Sequence, residues 1–279
     1  MGDAAGSEPM AKLQLTDIGI YVKDLKAARK FYSKKIGLKE RSYLPKWGYL
    51  ALGATKGGED AALNPWQPTP EWGQEDYERR MKMIGGVTGI GLLTNDMKGT
   101  LADLKKKGVK AEVDREGGTF GRFTDPDENV LFLVQPTKPK IRRKGLSSLV
   151  FVTVVSRDAK RSGEFFRKSL GMRPRRAPGE EGEEGFVQYQ LSPKGTGIMP
   201  FTPTKEMYDN PADYDSDMAH LGEDTSIGFT TTEIYRVQDQ LMAKGVRFQK
   251  KAEVRPWGGI QATFLDPDDN VYTLVEYKQ

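Results

Sequence analysis

Apolar positions change their spacing along the chain, and each change marks a predicted element. From Leu13 to Val22 apolar and polar residues alternate, as they do in a strand with one buried face. Asp24 then offers a helix cap, and the next apolar residues recur at helical spacing up to Gly37, a residue that suits the end of a helix. The pattern predicts a strand followed by an amphipathic helix.

A second strand and helix are predicted in the first half of the chain. The run VTGIGLLTN that begins at Val87 has the composition of a strand, and a helix begins after it at Asp96. The apolar residues Met97, Leu101 and Leu104 are spaced to lie on one buried face. The same pair recurs near the end of the chain as SIGFTTT and a further amphipathic helix, so four strand–helix units are predicted.

The two halves of the chain repeat one another. The segment DIGIYVKDLKAARKFYSKKIGLK from Asp17 corresponds to FVTVVSRDAKRSGEFFRKSLGMR from Phe151, at an offset of 151 − 17 = 134 residues. Both repeats close on a similar sequence, TDPDENVLFLVQP from Thr124 and LDPDDNVYTLVEY from Leu265. We interpret each DPDxN sequence as a tight turn, because Asp and Asn accept backbone hydrogen bonds and Pro fixes φ.

The repeats define the predicted domain organisation. Their boundary falls in QPTKPKIRRKG, whose prolines and basic run are typical of an exposed linker. We therefore predict a disordered segment at 1–10, domains at 11–137 and 145–279, and a linker at 138–144.

Taken together, the first strand, the KDL…FY helix, the following GL, the later KGV helix end and DPDxN with its apolar strand resemble the vicinal oxygen chelate superfamily. That superfamily contains glyoxalases, bleomycin-resistance proteins and extradiol dioxygenases, and the resemblance extends over almost the whole chain in two ordered copies. It implies an α+β fold of four βαβββ modules, paired so that curled mixed sheets surround open cavities. The sequence leaves open whether modules pair within a half or between halves.

Metal-dependent members of the superfamily bind a divalent ion through His and Glu on the first and last strands of the modules. The residues of this chain that correspond to those ligands are Asp17, Phe151, Gly89, Ser226, Phe132 and Thr273, with a remaining position near Leu63 or Met199. Divalent metals require convergent imidazoles and carboxylates. We therefore expect no family-type metal and no cofactor. Asp17 is the single carboxylate in the set, and it is a candidate general base or partner for a cationic ligand.

Aromatic residues lie close to the substituted positions. The predicted ligand-binding residues are Asp17, Trp66, Gly89, Phe132, Phe151, Phe201, Ser226, Trp257 and Thr273, with Trp47, Tyr49 and Tyr189 as further candidates. We expect Phe132 and Phe151 to fill the cavity that they share, and the surroundings of Asp17 to suit a polar ligand. The long segments Pro65–Met83 and Pro200–Glu223 either close over cavity mouths or pack across the domain interface.

Composition excludes several classes of function. The 43 basic and 39 acidic residues nearly balance, which gives no reason to expect binding to nucleic acid. The absence of cysteine excludes disulfides and thiolate metal sites, and no apolar run approaches the roughly 20 residues of a membrane span. We expect a cytoplasmic protein. His220, the one histidine, is expected to be a solvated loop residue.

These observations lead to a functional expectation. The chain is expected to be a metal-independent binding protein for a small, aromatic organic molecule, of the bleomycin-resistance type, which sequesters a toxic compound. Two alternatives remain: a glyoxalase-like lyase or isomerase or a dioxygenase with an atypical or absent metal site, and an interaction protein whose cavities are filled. The expected partner is a small-molecule ligand, and the protein is expected to be a monomer or a homodimer.

Overall fold

A computed structural model describes residues 11–113, 118–139, 145–179, 186–208 and 210–277. The predicted disordered segment 1–10 and residues 140–144 of the predicted linker lie outside the described residues. None of the helices in the described part of the chain is both long and apolar enough to cross a membrane.

The described residues form four copies of one strand–helix–three-strand module. Module 1 comprises β1 (Gln14–Tyr21), α1 (Leu25–Lys30, continued by a π-helical segment Phe31–Ile36), β2 (Lys39–Leu44), β3 (Tyr49–Gly53) and β4 (Ala62–Trp66). After α2 (Gln74–Lys82), module 2 comprises β5 (Gly86–Thr94), α3 (Met97–Lys106), β6 (Lys110–Val113), β7 (Phe120–Thr124) and β8 (Asn129–Val134).

The second half repeats this order. Module 3 comprises β9 (Leu146–Val155), α4 (Ala159–Lys168), β10 (Arg173–Arg176), β11 (Val187–Gln190) and β12 (Gly197–Phe201). After α5 (Pro211–Ala219), module 4 comprises β13 (Asp224–Thr230), α6 (Ile234–Ala243), β14 (Arg247–Val254), β15 (Ile260–Leu265) and β16 (Val271–Glu276). The predicted α+β fold of four βαβββ modules is confirmed.

The modules pair between the halves of the chain, which answers the question that the sequence left open. The first sheet contains modules 1 and 4 in the strand order β14-β15-β16-β13-β1-β4-β3-β2. The second sheet contains modules 3 and 2 in the order β10-β11-β12-β9-β5-β8-β7-β6. The two modules of each sheet are joined at its centre by an antiparallel strand pair, β1 with β13 in the first sheet and β5 with β9 in the second. Each half therefore contributes one module to each sheet.

Local signals in the sequence account for the helix starts. The Asp24 side chain accepts hydrogen bonds from the backbone N–H groups of Lys26 (2.7 Å) and Ala27 (2.9 Å) at the start of α1. Asp158 caps α4 in the same way, accepting from the N–H of Arg161 at 3.0 Å. The apolar faces of β1 and α1 then meet in the main core, where Ile18, Ile20 and Val22 are buried.

Both DPDxN sequences form the predicted turns, and both also join the two sheets. In the first turn, the Asn129 side chain donates to the carbonyl oxygen of Tyr21 (3.1 Å), and Asp127 accepts from the N–H of Lys23 (3.0 Å). The Tyr32 hydroxyl of module 1 donates to the buried Asp125 at 2.8 Å. The turn of module 2 therefore holds the end of β1 in the other sheet.

The second turn does the same for module 3 with more polar contacts. Asn270 donates to the carbonyl oxygen of Val155 at 3.0 Å. Asp268, whose side chain is fully buried, accepts from the Ser156 hydroxyl (2.7 Å) and from the N–H of Arg157 (3.1 Å) and forms an ion pair with Arg161. The two sheets are thus fastened together at equivalent points of both halves.

Candidate functional site

Two of the residues that the resemblance aligned with metal ligands, Asp17 and Thr273, lie in one row across the first sheet. Strand register places Asp17 of β1 beside Gly228 of β13, and Gly228 beside Thr273 of β16. On the other side of β1, Asn64 of β4 lies beside Gly19. Leu63, near which the sequence placed the remaining ligand position, is fully buried in the main core. Module pairing therefore brings Asp17 and Thr273 together from opposite ends of the chain.

The second sheet has the equivalent row with apolar residues. Phe151 of β9 lies beside Gly91 of β5, and Gly91 lies beside Phe132 of β8. Met199 of β12 lies beside Thr153, as Asn64 lies beside Gly19 in the first sheet. The two predicted phenylalanines are brought together, and the polar residues belong to the other sheet.

Neither row fits a divalent metal. The second sheet offers phenylalanine, glycine and methionine, and the first offers one carboxylate with the neutral oxygens of Asn64, Ser226 and Thr273. Within the described residues, no three His, Asp or Glu side chains come close enough together to hold a metal ion. Metal sites of this superfamily's type require several convergent imidazoles or carboxylates, so these positions do not supply one.

A cavity of about 640 Å³ lies along the second sheet, and Gly19, Tyr21 and Ser226 of the first sheet form part of its lining. Its apolar wall consists of Phe120, Phe132, Phe151, Phe186, Met199 and Phe201, with Gly89 and Thr153 between them. The expectation that Phe132 and Phe151 fill this cavity is wrong, and Gly91 supplies the reason. A Cβ atom at Gly91 would lie 2.5 Å from Cζ of Phe151, so the ring lies flat against β5 where only glycine leaves room. The aromatic rings line the space and leave its centre open.

Glycine is also required at Gly89, the predicted binding residue in β5. Its φ is +68°, and a Cβ there would lie 1.9 Å from the Thr153 hydroxyl. Ser226, its equivalent in β13, adopts the same left-handed region with φ +55°. Ser226 lies at the edge of the same cavity, close to Gly19 and Tyr21 of the first sheet.

The segment after β12 forms part of the cavity mouth. Met207, Tyr208, Asp217 and His220 line this side. His220 is exposed, and it follows α5 as the residue that ends the helix. Sequence reasoning placed this histidine in a loop and missed its position beside the cavity. The two long segments, which were predicted either to close over cavity mouths or to pack across the domain interface, also contact each other. Arg79 of α2 donates to Glu223 at 3.0 Å.

A second cavity, of about 500 Å³, lies against the first sheet and has polar walls. It is lined by Gln261, Thr263 and Thr273 from β15 and β16, and by Arg79 and Arg80 of α2. Arg80 donates to the Tyr21 hydroxyl and lies 5.2 Å from the centre of that ring. The two cavities of one molecule therefore differ in chemical character.

Asp17 is the centre of a hydrogen-bonded group in the first sheet. Tyr49 donates to its Oδ1 (3.0 Å), and Thr16 donates to its Oδ2 (2.7 Å). Burial raises the pKa of Asp17 above its ordinary 3.8, and the hydrogen bonds from Thr16, Tyr49 and Asn64 oppose that shift. Burial together with the Asp17 charge raises the pKa of Tyr277 to about 12. Asp17 thus lies half-buried, with both carboxylate oxygens accepting hydrogen bonds.

Tyr277 is a residue that sequence reasoning missed. Side chains alternate between the faces of a strand, so Thr273, Val275 and Tyr277 share one face of the last strand and its extension. Counting by two from Thr273 would have identified it. The other further candidates lie elsewhere: Tyr189 packs on Phe166 in the core, with 5.9 Å between ring centres, and Trp47 is exposed in the turn after β2.

The predicted residues Trp66 and Trp257 are linked to Asp17 through Tyr49 and Tyr277. The Trp66 ring lies against Tyr49, with 5.9 Å between ring centres, and the Trp257 ring lies against Tyr277, with 5.7 Å. Phe201, at the equivalent position to Trp66, lines the apolar cavity. The predicted set of site residues therefore divides between the two sheets.

The fold defines a protein of fused, paired βαβββ modules. The model of the Glyoxalase/Bleomycin resistance protein/Dioxygenase superfamily matches residues 14–133 and 148–273. The chain belongs to this superfamily, as the sequence resemblance implied.

Solved structures show the same architecture. Glyoxalase I from Zea mays superposes with a TM-score of 0.63 at 17% sequence identity, over 95% of this chain and 92% of that one. A mutant of glyoxalase I from Zea mays gives a TM-score of 0.61 at 18% identity, over 94% and 93% of the two chains. No curated protein sequence matches the chain. Identities this low establish the shared fold alone.

Proposed function

We propose that the protein binds a small, aromatic organic molecule in the cavity of the second sheet, without a metal ion. The observation that carries this proposal is the 640 Å³ cavity whose wall is formed by phenylalanine and methionine side chains. Its volume lies within the roughly 300–1,000 Å³ that is usual for small-molecule sites.

The composition of the wall indicates how such a ligand is held. Flat aromatic ligands bind to phenylalanine rings through burial of apolar surface and through edge or offset contacts, which contribute about 0.5–1.5 kcal/mol per ring pair beyond burial. Methionine side chains adapt to irregular ligand shapes. A few polar groups, including Thr153, Tyr208 and Asp217, lie on the same cavity and would orient a substituent on the ligand.

Absence of a suitable donor set supports binding without a metal. Of the positions that the resemblance aligns with metal ligands, Gly89, Phe132 and Phe151 line this cavity, and none of them has an imidazole or a carboxylate. An apolar ligand gains free energy there by leaving water, at about 25 cal/mol per Å² of apolar surface buried. Tight retention without turnover would serve to sequester a toxic compound.

A matched pair of glycine substitutions tests the site. Gly91→Ala forces the Phe151 ring away from β5 and into the cavity, since the new Cβ would lie 2.5 Å from Cζ of that ring. The control is Gly228→Ala at the equivalent position of the first sheet, where the new Cβ would lie 3.0 Å from Cβ of Asp17. Fluorescence titration with the neutral probe N-phenyl-1-naphthylamine, in the presence of chelator, measures the affinity.

We expect saturable binding in the unmodified protein and in Gly228→Ala, and an affinity at least about tenfold lower in Gly91→Ala, which corresponds to about 1.4 kcal/mol. Competition by a panel of aromatic compounds then ranks natural ligand classes. Equal affinities in the two variants would place the probe elsewhere. Elemental analysis of protein purified without chelator or metal resin completes the test: a stoichiometric transition metal, with binding lost on its removal, would support the metalloenzyme alternative.

A further inference from the structure

The first sheet carries a second group of residues that the proposed aromatic site does not use. Two aromatic ring pairs are linked to Asp17 through their tyrosines: Tyr49 with Trp66 from module 1, and Tyr277 with Trp257 from the end of the chain. Tyr49 donates to the Asp17 carboxylate at 3.0 Å, and the ring pairs Tyr49–Trp66 and Trp257–Tyr277 have centres 5.9 Å and 5.7 Å apart. The group exists only because modules from opposite halves share one sheet.

The group is open to solvent on one side. Asp17, Tyr49, Trp66 and Trp257 are half-buried, and Tyr277 is 52% exposed. Gly259 of the turn before β15 leaves room for the Trp257 ring, because a Cβ at Gly259 would lie 1.7 Å from Cζ3 of that ring. The aromatic surfaces are therefore held in place by the backbone and remain accessible to a small molecule.

Asp17 has no ion-pair partner among the residues that the structure describes. Arg41 is the basic residue whose charge acts on Asp17, and its guanidinium is engaged elsewhere. It donates to the Asp60 carboxylate and to the Asp60 carbonyl oxygen, each at 2.6 Å, and to the carbonyl oxygen of Thr55 at 3.0 Å. A carboxylate among aromatic rings, without its own cation, attracts a positively charged ligand.

We propose that this group binds a small quaternary ammonium compound, with the cation against the aromatic rings and beside Asp17. Each cation–π contact contributes about 0.5–2 kcal/mol, with the larger values at desolvated sites. The Asp17 oxygens already accept hydrogen bonds from Thr16 and Tyr49. A primary ammonium or guanidinium would need several further acceptors, whereas a quaternary ammonium donates no hydrogen bond. This site is independent of the apolar cavity in the second sheet.

Choline and its neutral isostere 3,3-dimethylbutan-1-ol separate charge recognition from shape. Isothermal titration calorimetry on the full chain, together with tryptophan fluorescence, measures both affinities. We expect saturable binding of choline and at least tenfold weaker binding of the isostere. Similar affinities for the two compounds, or no saturable binding of choline, would overturn the proposal.

Two variants assign the binding to this group. Asp17→Asn keeps an acceptor for the Tyr49 hydroxyl and removes the charge, and Trp257→Leu removes one aromatic surface. We expect choline affinity to fall at least tenfold in Asp17→Asn and several-fold in Trp257→Leu. Tyr235→Leu is the control, because Tyr235 is an exposed aromatic residue on α6 that, within the described residues, has no ring contact with this group. Circular dichroism checks that each variant is folded, and unchanged choline affinity in folded Asp17→Asn would refute the assignment.

Discussion

At the scale of single residues, one position decides the character of each sheet. Asp17 and Phe151 occupy equivalent places on β1 and β9, and each lies beside a glycine of the paired strand, Gly228 or Gly91. In the first sheet the glycine leaves room for the carboxylate and its hydrogen bonds. In the second it accepts a flat phenylalanine ring. One repeated backbone thus supports two chemically different surfaces.

The sequence located these residues but not their packing. The superfamily resemblance aligned Asp17, Phe132, Phe151 and Thr273 with metal-ligand positions, and the strand period of two predicted that they face inward. The volume left beside Phe151 depends on how closely its ring approaches Gly91. That approach is set by pairing between β5 and β9, which come from different halves. Side-chain identity alone therefore suggested filling where the structure has a cavity.

Asp17→Asn is expected to stabilise the protein at neutral pH. Burial raises the folded-state pKa of Asp17 above its ordinary 3.8, so between these two pKa values the folded state binds more protons than the unfolded state. The free energy of unfolding therefore falls as pH rises through this interval, and the asparagine variant does not lose this stability. Urea unfolding of both proteins over an acidic-to-neutral pH series measures the difference. A variant less stable than the unmodified protein at neutral pH, or with the same pH dependence, would contradict the expectation.

At the scale of elements, local sequence signals were sufficient to predict the helix starts and turns. They were not sufficient to predict which strands pair across the two halves of the chain. The Asp24 cap and the hydrogen bonds within both DPDxN turns span only a few residues, and all were found where the pattern predicted them. The strand β1 pairs with β13, but the alternation of apolar and polar residues along β1 would be equally compatible with pairing to β5. Both pairings bury the same faces, so the hydrophobic pattern could not distinguish them.

The two DPDxN turns offer a matched comparison of how strongly they join the sheets. Asp268→Ala removes the acceptor of Ser156 and Arg157 and one partner of the Arg161 ion pair, and the Asp268 side chain is fully buried. We expect a loss of about 2–4 kcal/mol of unfolding free energy. Asp127→Ala removes one hydrogen bond, from the N–H of Lys23, at a half-buried position, and should cost about 1 kcal/mol.

Chemical denaturation of both variants under identical conditions gives the two free energies. Equal losses would show that the additional contacts of Asp268 do not strengthen the second junction. Both variants keep the Asn of the turn and its bond to the neighbouring strand. The comparison therefore isolates the aspartate contacts.

At the scale of the whole molecule, neither half of the sequence forms a complete sheet by itself. Each sheet joins one module from each half through its central strand pair. Further bonds cross between the halves: Asp60 accepts from the N–H of Leu149 at 2.8 Å, and Thr196 accepts from the N–H of Ala61 at 2.8 Å. The single chain therefore holds together what two separate subunits would otherwise have to assemble.

This arrangement predicts what happens when the chain is split into two fragments within the predicted linker 138–144. Fragments 11–137 and 145–279, when produced together, should associate as a one-to-one complex, because each supplies the strands that complete the sheets of the other. Alone, each fragment would expose two strand edges that are central in the full chain, and such edges pair with other strands in solution. We therefore expect no folded monomer of either fragment. Affinity purification through a tag on one fragment, followed by sedimentation analysis, checks both statements. A folded, monomeric fragment 11–137 would contradict the prediction, since it would have to form sheets by pairing modules within one half.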